Sequence, residues 1–314
     1  MKSLKSLWLV ATIFIFHFSV TSQTEKDVKI KTEAGKLYGS LMMPEGKGPF
    51  PVVLIIAGSG PTDRNCNSGL LQSNAYKMIA QELAKNEIAS LRYDKRGVGE
   101  SAETVSREEA LTFEDFVGDA NAWIDFLKKQ KNLDQIIILG HSEGSLIGML
   151  AAQREDVNKF ISVAGAGRPI YEVLLKQLEN QPETVFIEAE SIIESLKKGD
   201  TVSTVSRDLY ALFRPSVQGY LISWFKYDPA QELKKLGIPH LIIQGTTDIQ
   251  VETEEARILE KAVEGEQLIL IEEMNHVLKE APADKNKNIA TYYDPKSPLH
   301  KDFITPIIQF IRKK

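Results

Sequence analysis

Short apolar runs alternate with longer amphipathic stretches through most of this chain. Phe50–Ala57, Ile88–Tyr93, Ile136–Leu139, Ile238–Gln244 and Gln267–Ile271 each read as a buried strand. Upstream, Val28–Thr32 and Lys36–Leu41 suggest an opening hairpin turned at Ala34-Gly35. Thr112 caps a helix whose Phe113, Phe116, Val117, Ala120, Trp123, Ile124 and Leu127 share one face, a core stripe. Alternating β and α elements predict a mostly parallel sheet covered by helices on both faces. Between Ala166 and Glu232 this rhythm stops. The segment reads as helices over Tyr171–Leu178, Glu183–Lys197, Ser206–Phe213 and Val217–Phe225. It lies between two core strands, so a helical cap over the carboxyl edge of the sheet is expected across 166–232. Its apolar residues, among them Tyr171, Leu174, Leu178, Phe213, Trp224 and Phe225, either line an acyl or aryl pocket or pack the cap on the body. Tyr171, Leu174, Trp224 and Phe225 are taken as the pocket candidates.

The strand at Ile136–Leu139 runs into Gly140-His141-Ser142-Glu143-Gly144, and an apolar, helix-like run, Ser145–Ala152, follows. A chance G-x-S-x-G in a chain this long has odds of roughly one in ten. The motif therefore gains its weight from context, and strand, G-x-S-x-G, helix is the context of a nucleophile elbow. A serine on so sharp a turn sits in strained backbone, and the flanking glycines let the chain fold back past itself. The turn exposes the serine hydroxyl and aims the amide of Glu143, at a helix N-terminus, towards a developing oxyanion.

A serine hydroxyl needs an imidazole to take its proton, and the imidazole needs a carboxylate to fix its tautomer. In chain order the acid precedes the histidine in such folds. Asp248 lies just past the strand Ile238–Gln244, in the loop Gly245-Thr246-Thr247-Asp248. His276 follows the next strand, Gln267–Ile271. Two successive strands thus each bring one polar residue to the edge that carries Ser142. Of the five histidines, His17 lies in the leader, His141 is inside the elbow and His240 sits mid-strand. His300 is the fallback base, and Asp284 and Asp294 are weaker alternatives to Asp248. The strand Phe50–Ala57 runs into Gly58-Ser59-Gly60-Pro61, where small residues allow close backbone approach. The second oxyanion amide is expected from Ser59, with Gly60 next. The G-x-G at Gly97-Val98-Gly99 lacks the third glycine of a dinucleotide site and reads as a structural loop. There Asp94 and Arg96 are expected to pair or to bond loop backbone.

Gly140-His141-Ser142-Glu143-Gly144, Asp94-Lys95-Arg96-Gly97-Val98-Gly99-Glu100-Ser101, Gly245-Thr246-Thr247-Asp248 and Asn275-His276 together resemble the α/β-hydrolase superfamily, in its serine aminopeptidase (S33)/monoacylglycerol-lipase-like branch. Ala57–Asn65, Ala164–Pro169 and Met274–Lys279 are similar, more narrowly, to bacterial EstD-type esterases. The likeness covers roughly residues 27–314. It implies an α/β-hydrolase fold with a mostly parallel, eight-stranded-type sheet and a helical cap after the sixth strand. It implies hydrolysis of carboxylic esters, mostly of short acyl chains, without a cofactor. One departure is Asn65-Cys66-Asn67, where the family would carry a glycine after Arg-Asn; the triad is untouched by it.

The leader is a separate object. Lys2 and Lys5 precede a mostly apolar run, Leu7–Val20, and small residues follow at Thr21-Ser22. Residues 1–22 read as a signal peptide cut before Gln23, leaving 23–314 as an exported, periplasmic or secreted hydrolase domain with no stable membrane anchor. Loss of two lysines takes the net charge from −5 to −7, which leaves no broad basic surface for nucleic acid. Cys66 is the one cysteine, so no intrachain disulfide forms. No credible metal-ligand spacing appears, and no sequence feature selects an oligomeric state. The expected partner is a small-molecule ester. A peptidase or amidase uses the same triad but anchors a charged terminus, for which Glu143, Asp63 and Glu172 are the available acids. A non-catalytic binding module would normally have lost a triad member, and all three candidates are present.

Overall fold

The computed structural model describes residues 23–69, 71–263 and 267–313. The expected signal peptide lies outside these residues. Among them, no helix is long and apolar enough to cross a membrane. The large sheet has eight strands in the order β1-β2-β6-β3-β7-β8-β9-β10. These are Thr24–Thr32 (β1), Gly35–Met43 (β2), Phe50–Ile56 (β3), Ala89–Tyr93 (β6), Leu133–His141 (β7), Lys159–Val163 (β8), His240–Gly245 (β9) and Gln267–Ile271 (β10). Two short strands, Asn67–Ser68 (β4) and Leu71–Gln72 (β5), form a separate ribbon. β2 pairs antiparallel with β1 and β6, and every other pairing in the large sheet is parallel. The opening hairpin turns at Glu33-Ala34, one residue earlier than expected, because Thr32 pairs with Gly35 and that glycine already opens β2.

Alternation along β3 feeds two cores. Val52, Leu54 and Ile56 join Phe113, Trp123 and Ile124 of helix α2 (Phe113–Lys128) and Leu146 and Ile147 of α3 (Glu143–Ala151). Val53 and Ile55 face the other way, against Tyr76 and Ile79 of α1 (Ala75–Lys85) and Ile307 and Phe310 of α11 (Ile304–Arg312). A period of two with both faces buried is what a parallel sheet between helical layers requires. Thr112 caps α2 through a reciprocal capping box with Asp115.

Between β8 and β9 the chain forms α4 (Ile170–Leu178), α5 (Glu183–Lys197), α6 (Tyr210–Phe213), α7 (Pro215–Trp224) and α8 (Pro229–Lys234). β8 is the sixth strand of the large sheet in chain order. α4 to α7 share a core of their own, including Leu178, Ile193, Leu196, Phe213 and Phe225. The helix expected over Ser206–Phe213 is the single turn Tyr210–Phe213, and residues 206–209 before it carry no helix. α8 was not foreseen, although Asp228 accepts from the amides of Ala230 and Gln231 and Pro229 stands at the first helical position. Several polar ties hold these helices to the body. Arg214 pairs with Glu108, Ser223 Oγ accepts the α2 amide of Phe113 at 2.7 Å, and Tyr220 Oη donates to Glu143 at 2.5 Å. Among the described residues the remaining α-helices are α9 (Thr253–Ala262), after β9, and α10 (Lys285–Ala290), after β10.

Candidate active site

Ser142 stands between β7 and α3 with φ 55° and ψ −123°, a conformation that costs on the order of 1–3 kcal/mol in a non-glycine residue. Packing enforces it. A Cβ on Gly140 would lie 2.2 Å from the carbonyl oxygen of Gly144, and one on Gly144 would lie 2.3 Å from that of Ile56. Only bare backbone fits at both places, so the elbow cannot relax. The Ser142 amide is held by Val163 O at 2.9 Å, which leaves the hydroxyl at the carboxyl edge of the sheet. Glu143 opens α3, so its amide is among those with no partner inside the helix.

Asp248 sits beyond β9 and His276 beyond β10, on neighbouring parallel strands. His276 Nδ1 donates to Asp248 Oδ2 at 2.8 Å. The carboxylate is otherwise saturated. Its Oδ1 accepts the amides of Gln250 and Val251 at 2.8 and 3.0 Å, and Oδ2 also accepts from Gln244 Nε2 at 3.1 Å. Burial pushes the Asp248 pKa up, but the His276 ring and the two amides more than offset this, and the carboxyl stays below its ordinary range. Asn275 braces the loop by donating to Asn288 and Thr291 and accepting the amide of Lys279. The alternatives have other employment. His300 Nδ1 accepts the amide of Asp302, Asp284 caps α10, and Asp294 accepts the amide of Lys296.

His141 does more than its place beside the serine suggests. Its Nε2 lies 2.8 Å from the carbonyl oxygen of His276, so that nitrogen carries the proton. Burial first, and the neighbouring His276 second, push the His141 pKa down to about 3. The ring is therefore neutral, and Nδ1 accepts from Tyr76 Oη at 2.8 Å. Tyr76 in turn accepts the amide of Gly58 at 3.1 Å. One buried chain of hydrogen bonds thus joins the loop after β3, the elbow and the loop of His276. The depressed pKa makes stability pH-dependent. The unfolded chain takes up a proton on this residue below about pH 6.5, while the folded one does not until about 3. Stability present above pH 6.5 is lost as pH falls across that window, by at most about 1.4 kcal/mol per pH unit. We expect His141→Gln to flatten this dependence, read as the change in thermal midpoint between pH 7 and pH 5. An unchanged slope would contradict the assignment.

Two cavities meet at Ser142 and Ser59. One, of about 230 Å³, runs beneath the inserted helices and is lined chiefly by apolar side chains, including Leu146, Val173, Leu174, Leu221, Trp224 and Val251. The other, of about 240 Å³, is lined by Thr62, Asn67, Ser73, Tyr76, His276 and Tyr292 among others. Of the four pocket candidates, Leu174 and Trp224 line the first cavity. Tyr171 and Phe225 do not; their rings pack on each other 5.5 Å apart within the core of the inserted helices. Asp94 and Arg96 do not pair with each other. Asp94 holds Arg64 at 2.8 Å and accepts the loop amides of Arg64 and Glu100, while Arg96 holds Asp119 at 2.6 Å. Sequence reasoning also missed Gln244, Tyr76 and Lys95. Gln244 left a trace, as a polar residue closing an apolar strand, and Lys95 lies within the Asp94–Ser101 motif, which gave it no role; Tyr76 left none.

The geometry agrees with what the chain is similar to. Residues 69–211 match the family model described as serine aminopeptidase, S33. Esterase EstD of Thermotoga maritima is 29% identical over 302 residues, covering 92% of this chain and 68% of that protein. Among solved structures, Est1E from Butyrivibrio proteoclasticus with bound ferulic acid superposes with a TM-score of 0.60 at 21% identity, covering 84% of this chain and 94% of that one. The enol-lactonase from Burkholderia xenovorans LB400 gives 0.55 at 18% identity, covering 91% and 100%. At such identities these two structures speak for the fold alone. With sheet order, elbow and matched segments in agreement, the chain has the α/β-hydrolase fold and over residues 69–211 is similar to its S33 branch.

Proposed function

We propose that this chain is an exported serine hydrolase that cleaves carboxylic esters of short to medium acyl chains. The observation that carries the reading is the saturated Asp248 carboxylate bonded to His276 Nδ1, at the sheet edge where the strained elbow presents Ser142. Ser142 Oγ attacks the ester carbonyl as His276 takes its proton. The oxyanion is held by the amides of Glu143 and Ser59. The imidazolium protonates the leaving alcohol, and water activated by the same ring then releases the acid. Export rests on the leader sequence.

The two cavities give the ester a direction. The leaving alcohol must depart beside the group that protonates it, and His276 lines only the more polar of the two cavities that meet at Ser142. The acyl chain therefore enters the apolar one beneath the inserted helices, against Leu174 and Trp224. This cavity, of about 230 Å³, adjoins a further one of about 580 Å³ through Ser59, Glu143, Leu212, Leu221 and Trp224, space that suits short to medium acyl groups.

Ester is favoured over a peptide with a free amine by the state of the acids. Glu143 is bonded to Lys95 and Tyr220. Asp63 accepts the amides of Asn65 and Asn67. Glu172 is exposed on α4, whose Val173, Leu174 and Gln177 face the cavity instead. The test is a p-nitrophenyl ester series from acetate to laurate, beside anilides of the same acids. We expect kcat/KM to peak at short to medium chains and the matched anilides to be cleaved far more slowly. Preference for an aminoacyl anilide would overturn the esterase reading in favour of the peptidase.

A further inference from the structure

Among the buried cations that the mechanism above leaves unused, Lys95 reaches the loops around Ser142. Lys95 follows β6, and its side chain is 4% exposed. Its ammonium lies 5.6 Å from the centre of the Phe116 ring and donates in two directions, to Gly58 O at 2.5 Å and to Glu143 Oε2 at 3.3 Å. Both partners belong to the residues around the oxyanion site. Gly58 O is the carbonyl half of the peptide unit whose N–H is that of Ser59. That unit is not among the cis bonds. A trans peptide is planar, with its N–H pointing opposite its C=O. A cation that pins the carbonyl of Gly58 therefore also aims the Ser59 amide. It further polarises that amide as a donor, since hydrogen bonds in a chain strengthen one another. The second contact acts on the other donor. Glu143 contributes its amide to the oxyanion site while its own carboxylate is buried alongside, where an uncompensated negative charge would oppose a second one. Lys95 compensates it, and Tyr220 from α7 satisfies the other oxygen at 2.5 Å.

We infer that Lys95 is the positioning residue of the oxyanion hole, orienting the Ser59 amide through Gly58 O and neutralising the Glu143 carboxylate beside it. This rests on the Ser142 hydrolase reading and deepens it. A residue that merely packed the inserted helices would act on substrate binding and stability. One that aims oxyanion donors acts on kcat, because the oxyanion exists only along the reaction path.

The test uses the full chain, Lys95→Met, and the double variant Lys95→Met/Glu143→Gln. The double variant leaves no unpaired buried carboxylate, so it folds even where the single one does not. Readouts are kcat and KM for p-nitrophenyl butyrate and the Ki of an alkyl trifluoromethyl ketone, which adds to a serine as a hemiketal oxyanion. Deleting an oxyanion donor outright costs about 100- to 1,000-fold in kcat, so misaiming one is expected to cost about 10- to 100-fold. KM should stay within about threefold, and the ketone should weaken by the same factor as kcat/KM. The double variant should remain slow, because Gly58 O is still unpinned. Wild-type kcat in the variants, a rise in KM alone, or recovery of kcat in the double variant would each overturn the inference. Such a result in an enzyme that still depends on Ser142 leaves the hydrolase reading standing; activity that survives Ser142→Ala removes the reading itself.

Discussion

Ser142→Ala is expected to lower kcat for a short-chain p-nitrophenyl ester by about a million-fold, to the residual rate that binding and oxyanion stabilisation alone support. The size of the effect follows from covalent catalysis. Without Oγ there is no acyl-enzyme, and His276 has no hydroxyl to activate. The substitution removes one atom from a partly exposed side chain whose backbone is held by Val163 and by the tight contacts of Gly140 and Gly144. Circular dichroism should therefore be unchanged. Steady-state kinetics at substrate concentrations well above KM make the comparison. Retention of more than a hundredth of wild-type kcat would mean that another group attacks the ester.

Asp248→Asn should lower kcat by about 10,000-fold while leaving the fold intact. The partners around this carboxyl dictate how the amide must sit. Oδ1 accepts from two backbone amides, Gln250 and Val251, so the carbonyl oxygen of asparagine stays there. Its NH2 group is then forced to the position now held by Oδ2, facing His276 Nδ1 at 2.8 Å. Nδ1 must accept rather than donate, so the proton of a neutral imidazole moves to Nε2. In that tautomer the ring has no lone pair for the serine proton. The amide nitrogen also confronts Gln244 Nε2, a second donor, so a modest loss of stability accompanies the kinetic one. Kinetics and a thermal melt on one preparation separate the two effects. Activity within tenfold of wild type would show that Asp248 does not set the tautomer.

Most of the sheet was legible because strands such as Phe50–Ala57 and Ile136–Leu139 are written as apolar runs; β8, Lys159–Val163, opens on a lysine and carries Ser162, and it was not read. The elbow was legible because its steric demand falls on two positions that admit only glycine, 140 and 144. Asp248 and His276 could be read together because parallel order puts the ends of β9 and β10 side by side. What escaped depends on contacts between distant segments. Trp224 and Phe225 are adjacent aromatic residues at the end of one helix, yet one lines the cavity and the other packs on Tyr171. An apolar helix face has the same period whether it meets a ligand or another helix. Tyr76 lies 65 residues from His141, and Lys95 lies 48 from Glu143, so neither partnership leaves a local pattern. His141 lies inside the elbow, where side chains of neighbours diverge on the sharp turn. It does diverge from Ser142, and that divergence is what brings it under the carbonyl of His276.

The most direct measurement is covalent labelling of the full chain and of Ser142→Ala with an alkyl fluorophosphonate, followed by peptide mass spectrometry. One adduct per chain on Ser142, absent from the variant and formed in step with loss of esterase activity, is the expected result. Ester hydrolysis that persists in the fully labelled protein, or an adduct on any other residue, would contradict Ser142 as the nucleophile.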